Sequence, residues 1–397
     1  MILENTIQQY AWGSRTAIPD LLGIENSGNK PCAELWMGTH PKAPSKVRTG
    51  EESISLGRLI ENNPLEMLGR HTCETFGGTL PFLFKILAAE SPLSIQAHPN
   101  IEQAREGFAR ENSLGIPVDA PERNYRDDNH KPEILCALTN FHALRGFREI
   151  SGIIGLLETL ALPEIETEIH ALKSCPDSRG LADFFRNLMT SSSEKKAGLA
   201  KSAAESAEKH KFRDTAFEWI CRLNEKYPGD TGVLAPAFLN VVVLKPGQAM
   251  YLPAGELHAY LYGTGIELMA NSDNVLRGGL TSKHVDVDEL MRILEFSSGP
   301  VEILEMEQVR PGEQAYTTQA SEFLLSKLTP SQETPYSAPE THSAEILICI
   351  SGEARLTYPG TGFDAVMGKG ESVFIPAETK NYKIKGDAQI YRASTPV

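Results

Sequence analysis

The order of apolar and polar positions along the chain follows two rhythms. From the N-terminus to about residue 150, and again from about residue 228, short apolar runs are broken by Gly, Pro, Asn and Asp, the punctuation of β-strands and turns. Between these regions apolar residues recur every three or four positions, as in GIIGLLETLALPEIETEIHALK and GLADFFRNLMTSSS. Ala, Leu, Glu and Lys dominate there, as helices prefer. The pattern predicts a mainly β protein with an α-helical insertion over 151–227. It also predicts a short helix at IEQAREGFAREN, after residue 100, and another at HVDVDELMRILEF, 284–296.

Three of the strand patterns carry chemistry. Within Leu244–Lys283, the spacing of Gly247, Pro253, Gly255 and His258 reads as turn, strand, second turn, and a histidine opening the next strand. Alternation along that strand places His258, Tyr260 and Tyr262 on one face. In PLSIQAHPN, Ser94, Gln96 and His98 share a face. In NHKPEILCAL, Pro132 biases Lys131 towards extended backbone, so Lys131 and Glu133 point the same way.

Each pattern is weak alone. Gln-x-His recurs by chance, and Lys with Glu two residues on is commonly a solvated strand face. The apolar run after Glu133 marks this strand as buried, which favours function. Together Gln96, His98, Glu133 and His258 offer two imidazoles, a carboxylate and an amide oxygen. That set suits Zn2+, and iron or manganese would also accept it. His170 and His210 fall in the helical stretch without partners and read as packing or surface residues.

The last block repeats part of the first. Gly370, Pro376 and Asn381 reproduce the offsets of Gly247, Pro253 and His258. A second, related β-domain is expected there, with Asn381 where the metal histidine would stand.

Length and charge narrow the functional classes. At 397 residues the chain has room for several domains. A formal net charge of -14 speaks against nucleic-acid and membrane partners. Any anionic ligand must therefore meet a local cluster of Arg and Lys. The six cysteines are scattered, no secretory segment opens the chain, and no apolar run is long enough to span a bilayer. A reduced, cytoplasmic protein is expected.

The Gly247–His258 spacing resembles the second motif of the cupin β-barrels, where the histidine is a metal ligand. Tyr262 stands where that motif usually has Asn. More of the chain resembles the type I phosphomannose isomerases: YAWGS at 10–14, AELWMGTHP at 33–41, PLSIQAHPN at 92–100, NHKPE at 129–133, LPAGELHAYL at 252–261 and GIELMANSDNVLRGGLTSK at 265–283. The resemblance implies two cupin-like, jelly-roll barrels plus a helical domain. Residues 1–150 and 228–300 would form the catalytic barrel, 151–227 the helical insertion, and 301–397 a cupin-like domain lacking metal ligands. It further implies one Zn2+ per chain on Gln96, His98, Glu133 and His258, with Arg277 as the active-site arginine. The implied substrate is a small phosphorylated sugar, mannose 6-phosphate interconverted with fructose 6-phosphate through an enediol. Protein partners are not indicated.

That chemistry assigns expected roles to neighbouring residues. A Lewis-acid zinc and the permanently charged Arg277 would stabilise negative charge on the enediolate oxygens. Lys131, Glu267 and Asp273 are candidate proton carriers, and His130 a candidate for opening the ring. Ser94 and Lys283 are candidate phosphate contacts. Trp12 and Glu34 are placed on the rim of the pocket. Two other classes compete, an iron-dependent cupin oxygenase and a non-catalytic sugar-phosphate-binding cupin. Four ligands together with Arg277 are more than a sensor needs.

Overall fold

The strand His258–Ala270 is the axis of the larger β-unit. It pairs antiparallel with Ile95–Ala97 and Phe141–Phe147 along its first half, and with Phe82–Ala89 and Glu133–Ala137 along its second. The computed structural model that shows this describes residues 1–49, 52–358 and 364–396. A ten-stranded sheet curls around the axis. A second sheet of nine strands, running from Glu307 to Ser394, is organised around Glu345–Thr357.

Alternation decides what each face meets. In Phe82–Ala89, Phe82, Phe84, Ile86 and Ala88 join one core with Ile134, Cys136, Ile266 and Leu268. That same core contains Tyr316, Phe323, Leu325, Ile346, Ile348 and Phe374 of the second sheet. The two β-units are thus welded back to back by shared apolar burial, the dominant favourable term in such packing. The odd-numbered partners, including Leu87, Ala89, Leu135 and Ala137, face the interior of the first unit instead. Every residue of Phe82–Ala89 is buried, so the strand reads as continuously apolar and its alternation is hidden in the sequence.

One irregularity in the axis strand matters for function. Between Tyr260 and Tyr262 the pairing with Phe141–Phe147 shifts, leaving Leu261 as an extra residue. Such a bulge reverses the phase of alternation. Before it, Leu257, Ala259 and Leu261 pack towards the helices, and His258 faces inward. After it, Glu267 faces inward and Ile266 and Leu268 pack towards the second β-unit. Tyr262, expected on the face of His258, lies beyond the shift and is 41% exposed.

Helices occupy the predicted insertion: Ile150–Leu160, Glu166–Ser174, Ser178–Thr190, Ser193–Glu208 and Thr215–Lys226. Asp177, Ser192 and Asp214 cap three of them by accepting backbone N–H bonds. Their apolar stripes meet in one core around Phe184, Phe185, Trp219 and Phe238. The two outlying helices form at Ile101–Ser113, opened by an Asn100–Gln103 capping box, and at Val287–Ile293. Leu56–Asn62, Pro64–Leu68 and Arg70–Phe76 are helices the pattern did not announce. At five to seven residues they are too short to display a period.

The internal repeat appears in the backbone. Gly247 and Gly370 adopt left-handed φ of 88° and 84°, and each precedes a short buried strand, Ala249–Leu252 or Ser372–Ile375. Glycine takes that conformation without a Cβ penalty. The ligand offset does not carry over. Asn381 is an exposed, left-handed residue outside any strand, and Tyr382 enters the second interior in its place. There Tyr382 donates to Glu345 at 2.5 Å, while Arg392 bridges Glu345 at 3.2 Å and Glu313 at 2.5 Å. A buried ion-pair network thus occupies the second barrel. No described helix is long and apolar enough to cross a membrane.

Candidate metal centre

Three elements deliver His98, Glu133 and His258 to one point. His98 follows the strand Ile95–Ala97, Glu133 opens Glu133–Ala137, and His258 opens the axis strand after the Gly255 turn. All three are buried, and one ligand atom from each lies within 4.8 Å of the others. Among the described residues they form the one such group of His, Cys, Asp and Glu.

Each imidazole is aimed by its other nitrogen. His98 Nδ1 lies 2.8 Å from the carbonyl of Asn274, and His258 Nδ1 lies 3.0 Å from that of Glu256. A carbonyl only accepts, so both Nδ1 atoms carry the hydrogen and both Nε2 lone pairs point at Glu133. The Nε2–carboxylate distances are 3.3 Å for His98 and 3.6 Å for His258. Burial lowers both histidines, His98 to about 4 with the Lys131 charge adding to the effect. Burial alone would raise Glu133. The charge of Lys131, with Nζ at 3.1 Å, instead holds it well below the usual carboxylate range. Neutral imidazoles and an ionised carboxylate therefore face one another with lone pairs, and the buried His98 Nε2 has no hydrogen-bond partner. A divalent cation resolves that arrangement, and two nitrogens plus a carboxylate are donors Zn2+ accepts.

Gln96 stands beside this group by register. It pairs with His258 on one side and Arg277 on the other, so the three side chains leave the sheet on the same face. Its amide nitrogen donates to Ser94 Oγ at 3.2 Å, which leaves its carbonyl oxygen as an acceptor.

Ser94, Gln96, Glu34, Lys85, Lys131, Glu133, His258, Tyr260 and Glu267 line one small cavity of about 70 Å3. On its wall Lys85 and Glu267 are cross-strand partners and pair at 2.7 Å, with Glu34 at 3.8 Å from the same ammonium. Trp36 Nε1 donates to Glu34 at 2.6 Å. Burial raises the Glu267 carboxyl above its ordinary value even against the attraction of Lys85. The Tyr260 hydroxyl donates to Glu133 at 3.4 Å.

Other residues named from the sequence sit elsewhere. The His130 ring turns away from the cavity and lies 2.6 Å from Glu322 of the second β-unit, because His130 and Lys131 point to opposite sides of an extended segment. Asp273 pairs with Lys42 at 2.7 Å and His40 at 3.5 Å. Although burial opposes it, those two partners hold its carboxyl far below the usual range. Trp12 is half-buried and stacks on Tyr10 with centroids 5.8 Å apart. Arg277 is half-buried, and burial together with the charge of Arg126 lowers it. Burial, Arg277 and Arg126 lower Lys283 in the same way. Among the described residues none of these three cations is ion-paired.

Lys85, Tyr260 and Arg126 were not singled out as site residues from the sequence. Lys85 had a readable signal, a lone charge in an otherwise apolar, wholly buried strand. Arg126 had none, since its place depends on a loop folding back.

Comparison with known proteins gives a consistent match along the chain. The model for the phosphomannose isomerase type I catalytic domain matches residues 1–150, that for the type I helical insertion domain residues 158–239, and that for the mannose-6-phosphate isomerase cupin domain residues 315–395. Mannose-6-phosphate isomerase of Escherichia coli is 42% identical over 398 residues, covering 98% of both chains. The Homo sapiens mannose-6-phosphate isomerase is 35% identical over 426 residues, covering 98% of this chain and 97% of its own. A zinc-bound holo crystal structure of mannose 6-phosphate isomerase superimposes with a TM-score of 0.93 at 40% identity, covering 100% of this chain and 99% of that one. A mutant phosphomannose isomerase from Salmonella typhimurium gives 0.94 at 39%, with the same coverage.

Proposed function

The chain belongs to the type I phosphomannose isomerase family, and from that premise we propose how its residues interconvert mannose 6-phosphate and fructose 6-phosphate. The observation that carries the reading is the convergence of two oriented imidazoles and Glu133 on one point beside a polar cavity. His98, His258 and Glu133, with the Gln96 carbonyl, would hold one Zn2+. When bound, the ion supplies a Lewis acid next to the sugar's carbonyl and hydroxyl oxygens.

The protein's own groups do the rest. Isomerisation moves one proton from C2 to C1 of the open-chain sugar and a second from the C2 hydroxyl to the C1 oxygen, so that the carbonyl shifts from C1 to C2. Glu267 is the proton carrier: a buried carboxylate with raised proton affinity is poised to take the proton at C2 and return it at C1. Lys85, held by Glu267 and Glu34, keeps a positive charge against the cavity wall and fixes the orientation of Glu267. Lys131 and Tyr260 hold Glu133 in place from either side. Arg277 stabilises the charge that grows on the enediolate oxygens. Arg126, Arg277 and Lys283 form an uncompensated cationic patch in an otherwise acidic protein and draw in the phosphate, with Ser94 a second polar contact. We give His130 and Asp273 no part in proton transfer, since the His130 ring is hydrogen-bonded to Glu322 and Asp273 is ion-paired with Lys42.

The same reading divides the chain into a catalytic barrel, 1–150 with 228–300, a helical insertion, 151–227, and a second barrel, 301–397. It places the protein in the cytoplasm, in keeping with six unpaired cysteines. The test is a coupled assay for fructose 6-phosphate formed from mannose 6-phosphate, run on native, chelator-treated and zinc-restored protein. Glu267→Gln should abolish turnover while leaving zinc content unchanged. Full activity in metal-free protein would defeat the reading.

A further inference from the structure

Asn274 makes more polar contacts than any single role explains. It is fully buried, three residues before Arg277. Its side-chain oxygen accepts from the backbone N–H of Arg126 at 2.7 Å and of Asp127 at 3.2 Å. Its amide nitrogen donates to the carbonyls of Asp127 at 2.8 Å and Asn129 at 2.9 Å, and to Asp127 Oδ1 at 3.2 Å. Its own carbonyl takes the Nδ1 hydrogen of His98 at 2.8 Å.

Asp127 ties the same two segments from the other side. It accepts from the Asp273 N–H at 2.7 Å, the Ser272 hydroxyl at 2.8 Å and the Asn129 N–H at 3.1 Å. Segment 126–129 and turn 272–274 are thereby laced together. The first runs directly into Lys131 and Glu133, and the second into Arg277.

We infer that Asn274 is a positioning residue: its side chain sets the loop that delivers Arg126, Lys131 and Glu133, while its carbonyl sets the ring of His98. One buried amide thus ties the aim of a metal ligand to the placement of the cations around the cavity. Only an amide of this length fits, because one end must accept and the other must donate. Aspartate would turn an oxygen towards three oxygens, and alanine would leave the Arg126 and Asp127 N–H groups and the Asp127 carbonyl without partners. The inference rests on His98 and Glu133 being ligands, and the experiment separates the two claims.

Wild type, Asn274→Ala and the milder Ser272→Ala are loaded with Co2+, and visible absorption, metal affinity by chelator competition, kcat, KM and thermal melting are measured. Asn274→Ala at full occupancy should show a changed cobalt spectrum, with metal affinity and kcat each lower by about 10–100-fold. Ser272→Ala should change in the same direction to a smaller extent. A lower melting temperature with an unchanged spectrum, affinity and kcat in Asn274→Ala would make the role structural and overturn the inference. If Asn274→Ala does not fold, Ser272→Ala decides by the same criterion. A wild type that takes up no stoichiometric Co2+ would remove the ligand reading itself, and the inference with it.

Discussion

Arg277 lies directly across an antiparallel pair from Gln96, whose other neighbour is His258. Antiparallel partners project to the same face, so the guanidinium and the imidazole leave the sheet together, separated only by the Gln96 side chain. In the proposed mechanism a residue so placed acts where charge develops. Arg277→Ala should lower kcat by about 10²–10³ and leave zinc content and melting temperature near wild type. Arg277→Lys should recover only part of the rate, because an ammonium lacks the planar fork of donors. Steady-state kinetics decide the role. A raised KM with normal kcat would restrict Arg277 to holding phosphate.

The two barrels should respond differently to loss of their matching residues. His258→Ala removes a buried nitrogen donor and should lower bound zinc sharply. Asn381→Ala alters an exposed residue outside any strand and should leave zinc content unchanged. Metal analysis of the two purified variants tests this. Equal zinc loss would mean that the second barrel also contributes to the metal site.

Lys85 and Glu267 form a buried pair at 2.7 Å, so removing one partner strands the other. Lys85→Met should destabilise the fold by about 3–5 kcal/mol, the usual penalty for an uncompensated buried charge. The double variant Lys85→Met with Glu267→Gln should regain much of that stability yet remain inactive. Denaturant unfolding together with the coupled assay provides the measurement. An active double variant would exclude Glu267 as the proton carrier.

The contact between the two β-units should weaken in acid. Burial would raise Glu322, but its hydrogen bond to His130 lowers it below the ordinary value of 4.5. A carboxyl depressed in the folded state stabilises above its unfolded pKa and loses that contribution as pH falls through the folded value. Glu322→Gln should therefore melt below wild type at neutral pH, and the gap should close well below pH 4.5. Thermal melts across that range would show it, and a gap independent of pH would rule the linkage out.

Much of the candidate site was legible because its signals are local. Gln96 and His98 sit two residues apart, His258 follows a turn built from Pro253 and Gly255, and Glu133 follows Pro132. Each spacing dictates a direction without reference to the rest of the chain. The helical stretch was legible for the same reason, since a period of three to four residues is written along the chain itself. The left-handed turns at Gly247 and Gly370 were likewise visible as a repeated offset.

What the sequence by itself determined was therefore the kinds of donor, their local directions and the order of strand and helix regions. The tertiary structure alone decided how those pieces register against one another. Glu267 and His258 face one cavity only because an extra residue at Leu261 reverses the strand's phase, and nothing in the local pattern marks that bulge. Lys85 faces the same cavity from a strand buried on both sides, where apolar packing front and back erases the alternation. Asn381 missed the second interior by one residue, and His130 turned to Glu322, because each direction depends on a partner far away in sequence. Periodicity is a property of neighbours along the chain. Register, bulges and the partners of buried charges are set between segments, and only the packed fold brings those segments together.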